Sequence, residues 1–350
     1  MAEFVWSEQD TSPGRIEAAL RGLLQECYAE DAFSPARVLN LIAVVDREWR
    51  GEVENRLERV GRYHPSRTII CSIEPGRTQL DAVAILSGPD SKKPGELAIG
   101  SETVMVDCGP EHVPRLDALV DALVVTDLPT VVWSPHRHPE AIDAVLPLVQ
   151  VVLIDSIEEP GLSDAVARAA RLAEDAYVVD LAWLRSTPWR ERVAATFDPA
   201  LWREELARVK KITLRHHPDS AIAGLLFFGW LCSRLEWQPG ALVQQNGALY
   251  GHASTRRQEI ELCLEPEPRQ AAPGLAGLAI ETASGVKLSL DRGPGGLSAT
   301  RVARDGRLSE WTVLGASRGE SGILGEGIRQ ALLRDPTYRP ALAAAGEMVR

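Results

Sequence analysis

From Val113 onward the chain alternates between amphipathic runs and short apolar ones: VPRLDALVDALV then TVVWS, PEAIDAVLPLV then VVLIDS, LSDAVARAARLAE then YVVDLAW. Short strands joined by helices settle as parallel neighbours, because each helix carries the chain back to the starting edge. Their almost unbroken apolar character predicts a sheet covered on both faces. Upstream, ARVLNLIAVV (36–45), RTIICSIE (67–74) and DAVAILS (81–87) read as further strands, and EWRGEVENRLERVGRY (48–63) as a helix with a charged outer face. GELAIGSETVMVDCG (95–109) adds one or two more behind an exposed loop.

After about residue 200 the rhythm changes. RVKKITLRHH and the apolar helix AIAGLLFFGWLCSRL (221–235) lead into strands separated by turn signals such as Asn246-Gly247, Ser284-Gly285 and Asp305-Gly306. These suit antiparallel hairpins. A chain of 350 residues is long enough for two domains. The expected architecture is an N-terminal α/β domain with a largely parallel sheet, over 30–178, and a C-terminal α+β domain with an antiparallel sheet, over 179–350. Residues 1–29, whose Ile16, Leu20, Leu23 and Leu24 form a helical stripe, are expected to be an N-terminal helical arm.

Forty-nine acidic against 38 basic side chains give a net charge of −11, and no basic patch interrupts it, so nucleic acid is not an expected partner. No apolar run is long enough for a membrane span, and MAEFVWSEQDTSPGR lacks a signal-peptide core. The five cysteines are scattered and never spaced as CxxC. They read as small core residues of a cytoplasmic protein, not as a disulfide framework or a zinc site.

Catalytic patterns are sparse. Neither GxxxxGK[ST] nor a GxGxxG after the first strand is present, and Glu320 and Glu326 in the glycine-rich stretch near 315–326 would repel an anion. His136 and His138 in WSPHRHPE lack a nearby third ligand and read as loop residues before a Pro-initiated helix. No cofactor, catalytic metal or turnover is therefore expected. RYHPSRTII (62–70) is more pointed. Arg62, His64, Ser66 and Arg67 could recognise a phosphate or carboxylate, unless an arginine pairs with an acid such as Glu58.

DLAWLRSTPWRE (180–191) concentrates Trp183, Arg185, Trp189 and Arg190 around a Ser-Thr-Pro break. Thr187-Pro188 reads as a helix cap and first turn. In the preceding run, taken as extended, Trp183 and Arg185 would share a face, and Asp180 could pair with one of the arginines. Trp and Arg supply neither nucleophile nor base, so the stretch is either a buried corner or a docking surface.

ARVLNLIAVV, RYHPSRTIICSIEPGR, TDLPTVVWSP, VVLIDSIEEP and DLAWLRSTPWRERVAATFDP, in that order, resemble the glucose-6-phosphate dehydrogenase assembly protein OpcA family over roughly residues 36–205. The resemblance implies a non-catalytic factor that binds glucose-6-phosphate dehydrogenase and promotes its assembly or activity. On that footing Trp183 is expected to pin the domain junction, with Asp180 holding the group, while Arg185, Trp189 and Arg190 meet the dehydrogenase. The competing expectation is a sugar-phosphate- or nucleotide-binding enzyme or sensor using Arg62, Ser66 and Arg67.

Overall fold

A computed structural model describes residues 2–61, 65–89, 99–293, 295–314 and 320–350. The chain divides into two compact units. The first takes residues up to Ile154 with Glu174–Val179 and Leu324–Leu333; the second takes Asp155–Ala173, Asp180–Ile323 and Arg334–Arg350. The division therefore crosses the chain several times and is not the single cut near residue 179 expected from the sequence.

The first unit is built on a nine-stranded sheet. Its order is Ala2–Glu8, Asp81–Gly88, Ile99–Cys108, Ser66–Ile73, Leu39–Asp46, Thr130–Trp133, Val151–Ile154 and Tyr177–Asp180, with Ser34–Pro35 beside Ile99–Cys108. Pairing is parallel from Ile99–Cys108 through Ser66–Ile73, Leu39–Asp46 and Thr130–Trp133 to Val151–Ile154. Asp81–Gly88 adds antiparallel, as does Ala2–Glu8 beyond it. The chain starts its parallel layer in the middle, moves outward on one side, then returns to the other. The order thus reverses between Leu39–Asp46 and Thr130–Trp133.

Leu39–Asp46 is buried along almost its whole length, as a strand covered on both faces must be. Within it the Asn40 amide donates to the carbonyls of Val125 and Leu128 and to Thr130 Oγ1, and its oxygen accepts from Val125 N–H. One fully buried amide thereby fixes the loop entering the neighbouring strand.

The expected N-terminal arm is corrected. Ala2–Glu8 pairs residue for residue with Asp81–Gly88, and helix Pro13–Ala29 buries Ile16, Leu20, Leu23 and Cys27. Residues 1–29 belong to the first unit.

The second unit carries its own nine-stranded sheet. The order is Gln238–Pro239, Ala248–Ser254, Glu259–Pro266, Val209–His216, Leu275–Thr282, Lys287–Gly293, Gly296–Val302 and Leu308–Leu314, with Val243–Gln245 beside Ala248–Ser254. Pairing is antiparallel except where Val209–His216 lies parallel to Glu259–Pro266. The expected hairpins are present. Asn246 and Gly247 both have positive φ (52° and 83°) between paired Gln245 and Ala248, the geometry of a tight two-residue turn.

Helix Ala221–Leu235 is buried over most of its length and packs on Tyr338–Met348. A Cβ on Gly229 would stand 2.1 Å from the Ala341 carbonyl oxygen, so the absence of a side chain there lets the backbones meet. All five cysteines are buried thiols. Among the described residues no helix is long and apolar enough to cross a membrane.

Candidate functional site

The 180–191 stretch is a buried corner of the second unit. Asp180, 1% exposed, caps a short helix, Leu181–Arg185. Its Oδ1 accepts from Ala182 N–H (2.9 Å) and Ser156 N–H (3.1 Å). Its Oδ2 accepts from the Ser156 hydroxyl (2.6 Å) and the Tyr338 phenol (3.1 Å). Burial, reinforced by the charge of Asp155, raises its pKa to about 6 against the pull of the serine hydrogen bonds.

Trp183 donates its indole N–H to Asp335 Oδ2 at 2.9 Å and tilts against Tyr338 at 5.6 Å. The Arg190 guanidinium lies 3.3 Å from the Trp183 ring centroid and donates to the Trp183 carbonyl, Ser186 Oγ and Thr187 Oγ1. Burial lowers its pKa to about 9, with Asp335 opposing. Arg185 grips Asp155 with both terminal nitrogens, at 2.8 and 2.7 Å.

Several expectations are corrected here. The run before Ser186 is a helical turn, because Asp180 supplies the cap that starts it. Asp180 is held by Ser156, Ala182 and Tyr338, and Arg185 turns to Asp155 instead. Arg185, Trp189 and Arg190 were expected to face a partner, yet they are 7%, 1% and 7% exposed. A guanidinium stacked on an indole and an arginine already paired with a carboxylate have little left to offer outward. The helix start is confirmed within a residue: Thr187–Phe197, with Ser186 at its N-cap.

The anion site expected around residues 62–67 also differs. Arg62 and His64 lie outside the described residues. Arg67 is buried and donates through Nε to Glu102 Oε2 (2.7 Å) and through Nη1 to the Leu123 carbonyl (2.9 Å). Arg37 takes the other oxygen of Glu102, and Ser66 Oγ is bonded to Thr68 Oγ1 at 3.1 Å. Arg67 does pair with an acid, but the acid comes from the neighbouring strand.

The order reversal beside Leu39–Asp46 is where open parallel sheets usually bind ligands. Asp46-Arg47-Glu48-Trp49-Arg50 stands there, without the glycines that let a backbone approach a pyrophosphate. Arg50 is held by both oxygens of Asp107 (2.8 and 3.0 Å), and Arg47 lies 3.4 Å from the same carboxylate. Trp49 meets His136 edge-to-face at 5.1 Å. His138 starts the Pro139–Val145 helix, its N–H donating to Ser134 Oγ. Burial, more than any neighbouring charge, lowers its pKa, which keeps the ring neutral at neutral pH. Among the described residues no three His, Cys, Asp or Glu side chains gather as metal ligands. Part of the glycine-rich stretch, residues 315–319, lies outside the described residues.

A family model described as the glucose-6-phosphate dehydrogenase subunit N-terminal domain matches residues 57–174, and one described as the subunit's C-terminal domain matches 176–342. The chain belongs to the OpcA family. An OxPP cycle protein OpcA of Synechocystis is 23% identical over 77% of this chain and 57% of its own length. The OpcA of Synechococcus elongatus is 24% identical over 65% and 50%. The chain thus spans about half the length of the curated relatives it matches. A solved oxidoreductase of Sinorhizobium meliloti covers 88% of this chain and 94% of its own at 12% identity, with a TM-score of 0.46. At that score its chemistry is not transferred. Ser66 and Arg67 fall in the OpcA N-terminal match and the Asp180–Arg190 corner in the C-terminal one.

Proposed function

We propose that this OpcA-family chain is a non-catalytic cytoplasmic subunit. It binds glucose-6-phosphate dehydrogenase and promotes its assembly or activity in the oxidative pentose phosphate pathway. The family match carries the reading. It is supported by the turn after the first parallel strand, where Arg47 and Trp49 occupy the place that a dinucleotide-binding chain gives to glycines. Of the acids nearby, Asp107 is committed to Arg50 and Arg47. The sugar-phosphate sensor built on Arg62, Ser66 and Arg67 is not favoured, since Arg67 already answers Glu102.

Size-exclusion chromatography of this chain mixed with the dehydrogenase of its own host, with activity followed across the column, tests the proposal. A co-eluting complex with altered dehydrogenase kinetics is expected. Two unshifted peaks and unchanged kinetics at micromolar concentrations would refute it.

A further inference from the structure

Ala2–Glu8 stands at one end of the first unit's sheet, bonded on one side to Asp81–Gly88 through an unbroken seven-residue register. Among the described residues no strand pairs with its other side. An edge strand turns alternate N–H and C=O groups outward and can template a further strand. Edges are therefore commonly guarded by brevity, proline, a bulge or a central charge. The other sheet ends follow that rule. Tyr177–Asp180 has four residues, Gln238–Pro239 contains a proline, and Leu308–Leu314 carries Glu310 beside its centre. AEFVWSE has neither proline nor bulge, and its acids, Glu3 and Glu8, lie toward its ends, away from the central Val5.

Both faces of this edge carry apolar side chains. Val5, 55% exposed, stands opposite Ile85, and Ile85 opposite Thr103, so a β-branched row runs across one face. Asp107 lies on the same face as Thr103. It is gripped there by Arg50 of helix Arg50–Gly61, which packs on Ser66–Ile73 and Leu39–Asp46. The row runs away from that helix and ends at Val5. On the opposite face Phe4 stands against Leu86 and Trp6 against Ala84. Phe4 also meets Phe33 edge-on at 6.1 Å, yet both edge aromatics are only half-buried.

AEFVWSE complements a reversed copy of itself. An antiparallel partner centred on Val5 sets Val5 against Val5, Phe4 against Trp6, Glu3 against Ser7 and Ala2 against Glu8. Every residue then meets one from the same face of the other strand, as a continued sheet requires. The β-branched row runs on across the axis, two Phe–Trp pairs form on the other face, and no carboxylate opposes another. We propose that this edge pairs two copies of the chain about a two-fold axis at Val5, joining their first-unit sheets. Two chains of net charge −11 repel each other, and one strand edge is a small contact beside the ~1,200 Å² of a stable interface. The dimer is therefore reversible, with a Kd of about 10–100 μM that tightens as salt screens the charge. It stands whether or not the chain binds a dehydrogenase.

Sedimentation velocity of the full chain from about 2 to 300 μM, at about 0.05 and 0.5 M sodium chloride, tests the pairing. The boundary should move from monomer to dimer and stop there, because pairing uses up the edge. Val5→Lys, at an exposed position, opposes two ammonium groups on the axis and should weaken the dimer by about tenfold or more. The register is read separately by disulfide trapping with diamide, since the five native thiols are buried. Glu3→Cys and Ser7→Cys chains should cross-link when mixed and not when oxidised alone, because each residue faces the other across the axis. This arm holds even if the lysine variant folds poorly. A chain that stays monomeric at every concentration overturns the proposal. So does a dimer that a folded Val5→Lys leaves unweakened, or one whose mixed cysteine variants cross-link no faster than either alone.

Discussion

Asp180 accepts four hydrogen bonds in a place with almost no solvent, and that combination fixes the sign of its effect on stability. Its folded pKa of about 6 stands above the ordinary 3.8, so the folded chain holds the proton more tightly than the unfolded one. Protonation therefore contributes stability that is fully present below about pH 4 and is lost as pH rises through about 6, some ~3 kcal/mol in all. Asp180→Asn removes this dependence while keeping the shape. The amide oxygen can accept from the two backbone N–H groups, and the amide nitrogen can donate to the Ser156 and Tyr338 oxygens once those hydroxyls rotate. Urea unfolding of both proteins between pH 4 and 7.5 checks it: the stability of the Asn variant minus that of the wild type should climb from pH 4 to 6 and then level off. A difference that is flat with pH would mean that Asp180 titrates as a solvated carboxyl does. The sequence offers Asp180 only as a partner for a nearby arginine, and its role as the cap of Leu181–Arg185 appears in the structure alone. Ser156 and Tyr338, 24 and 158 residues away, leave no local trace.

Two glycines on helices test what an added methyl does in opposite settings. In Ala221–Leu235, Gly229→Ala would drive a Cβ into the Ala341 carbonyl and force the helix off Tyr338–Met348, a cost of about 2–3 kcal/mol. In Pro13–Ala29, Gly22→Ala meets nothing within 4 Å, so the helix gains about 0.5–1 kcal/mol from the lost backbone freedom of the unfolded chain. Thermal melts should move apart in opposite directions, and equal shifts would mean that the two helices are not packed as described. The sheet-building segments were legible because periodicity is local: apolar strands between helical stripes admit one arrangement. AEFVWSE escaped notice as a strand although its burial alternates strictly, because its partner lies some 80 residues on. DLAWL reads as extended because apolar residues follow on directly from Tyr177–Val179, interrupted only by Asp180. The acids that answer Arg67, Arg185 and Arg190 come from other elements, so neither their identity nor the burial they imply could be read from spacing.

Burial of the Trp/Arg corner changes what its substitution reports about the chain as a whole. If Trp189 were an interface anchor, truncating it would weaken a complex by ~2 kcal/mol or more while the free protein melted normally. At 1% exposure it is a core residue, and the expected cost falls on folding: about 3–5 kcal/mol for Trp189→Ala, with a correspondingly lower melting midpoint. Such a loss is a large share of the stability of an ordinary domain, so a complex measured near physiological temperature would look weakened for the wrong reason. The proposed association with the dehydrogenase should therefore be compared at about 10 °C and again near the melting midpoint of the variant, with circular dichroism giving the folded fraction. In the cold the affinity should stay within a few-fold of the wild type, and near the midpoint it should fall in step with the folded fraction. Arg190→Ala should behave alike, since its guanidinium serves the Trp183 ring and carbonyl. A fully folded Trp189→Ala that has lost its partner in the cold would return this corner to the surface and make its buried position a property of the free chain alone.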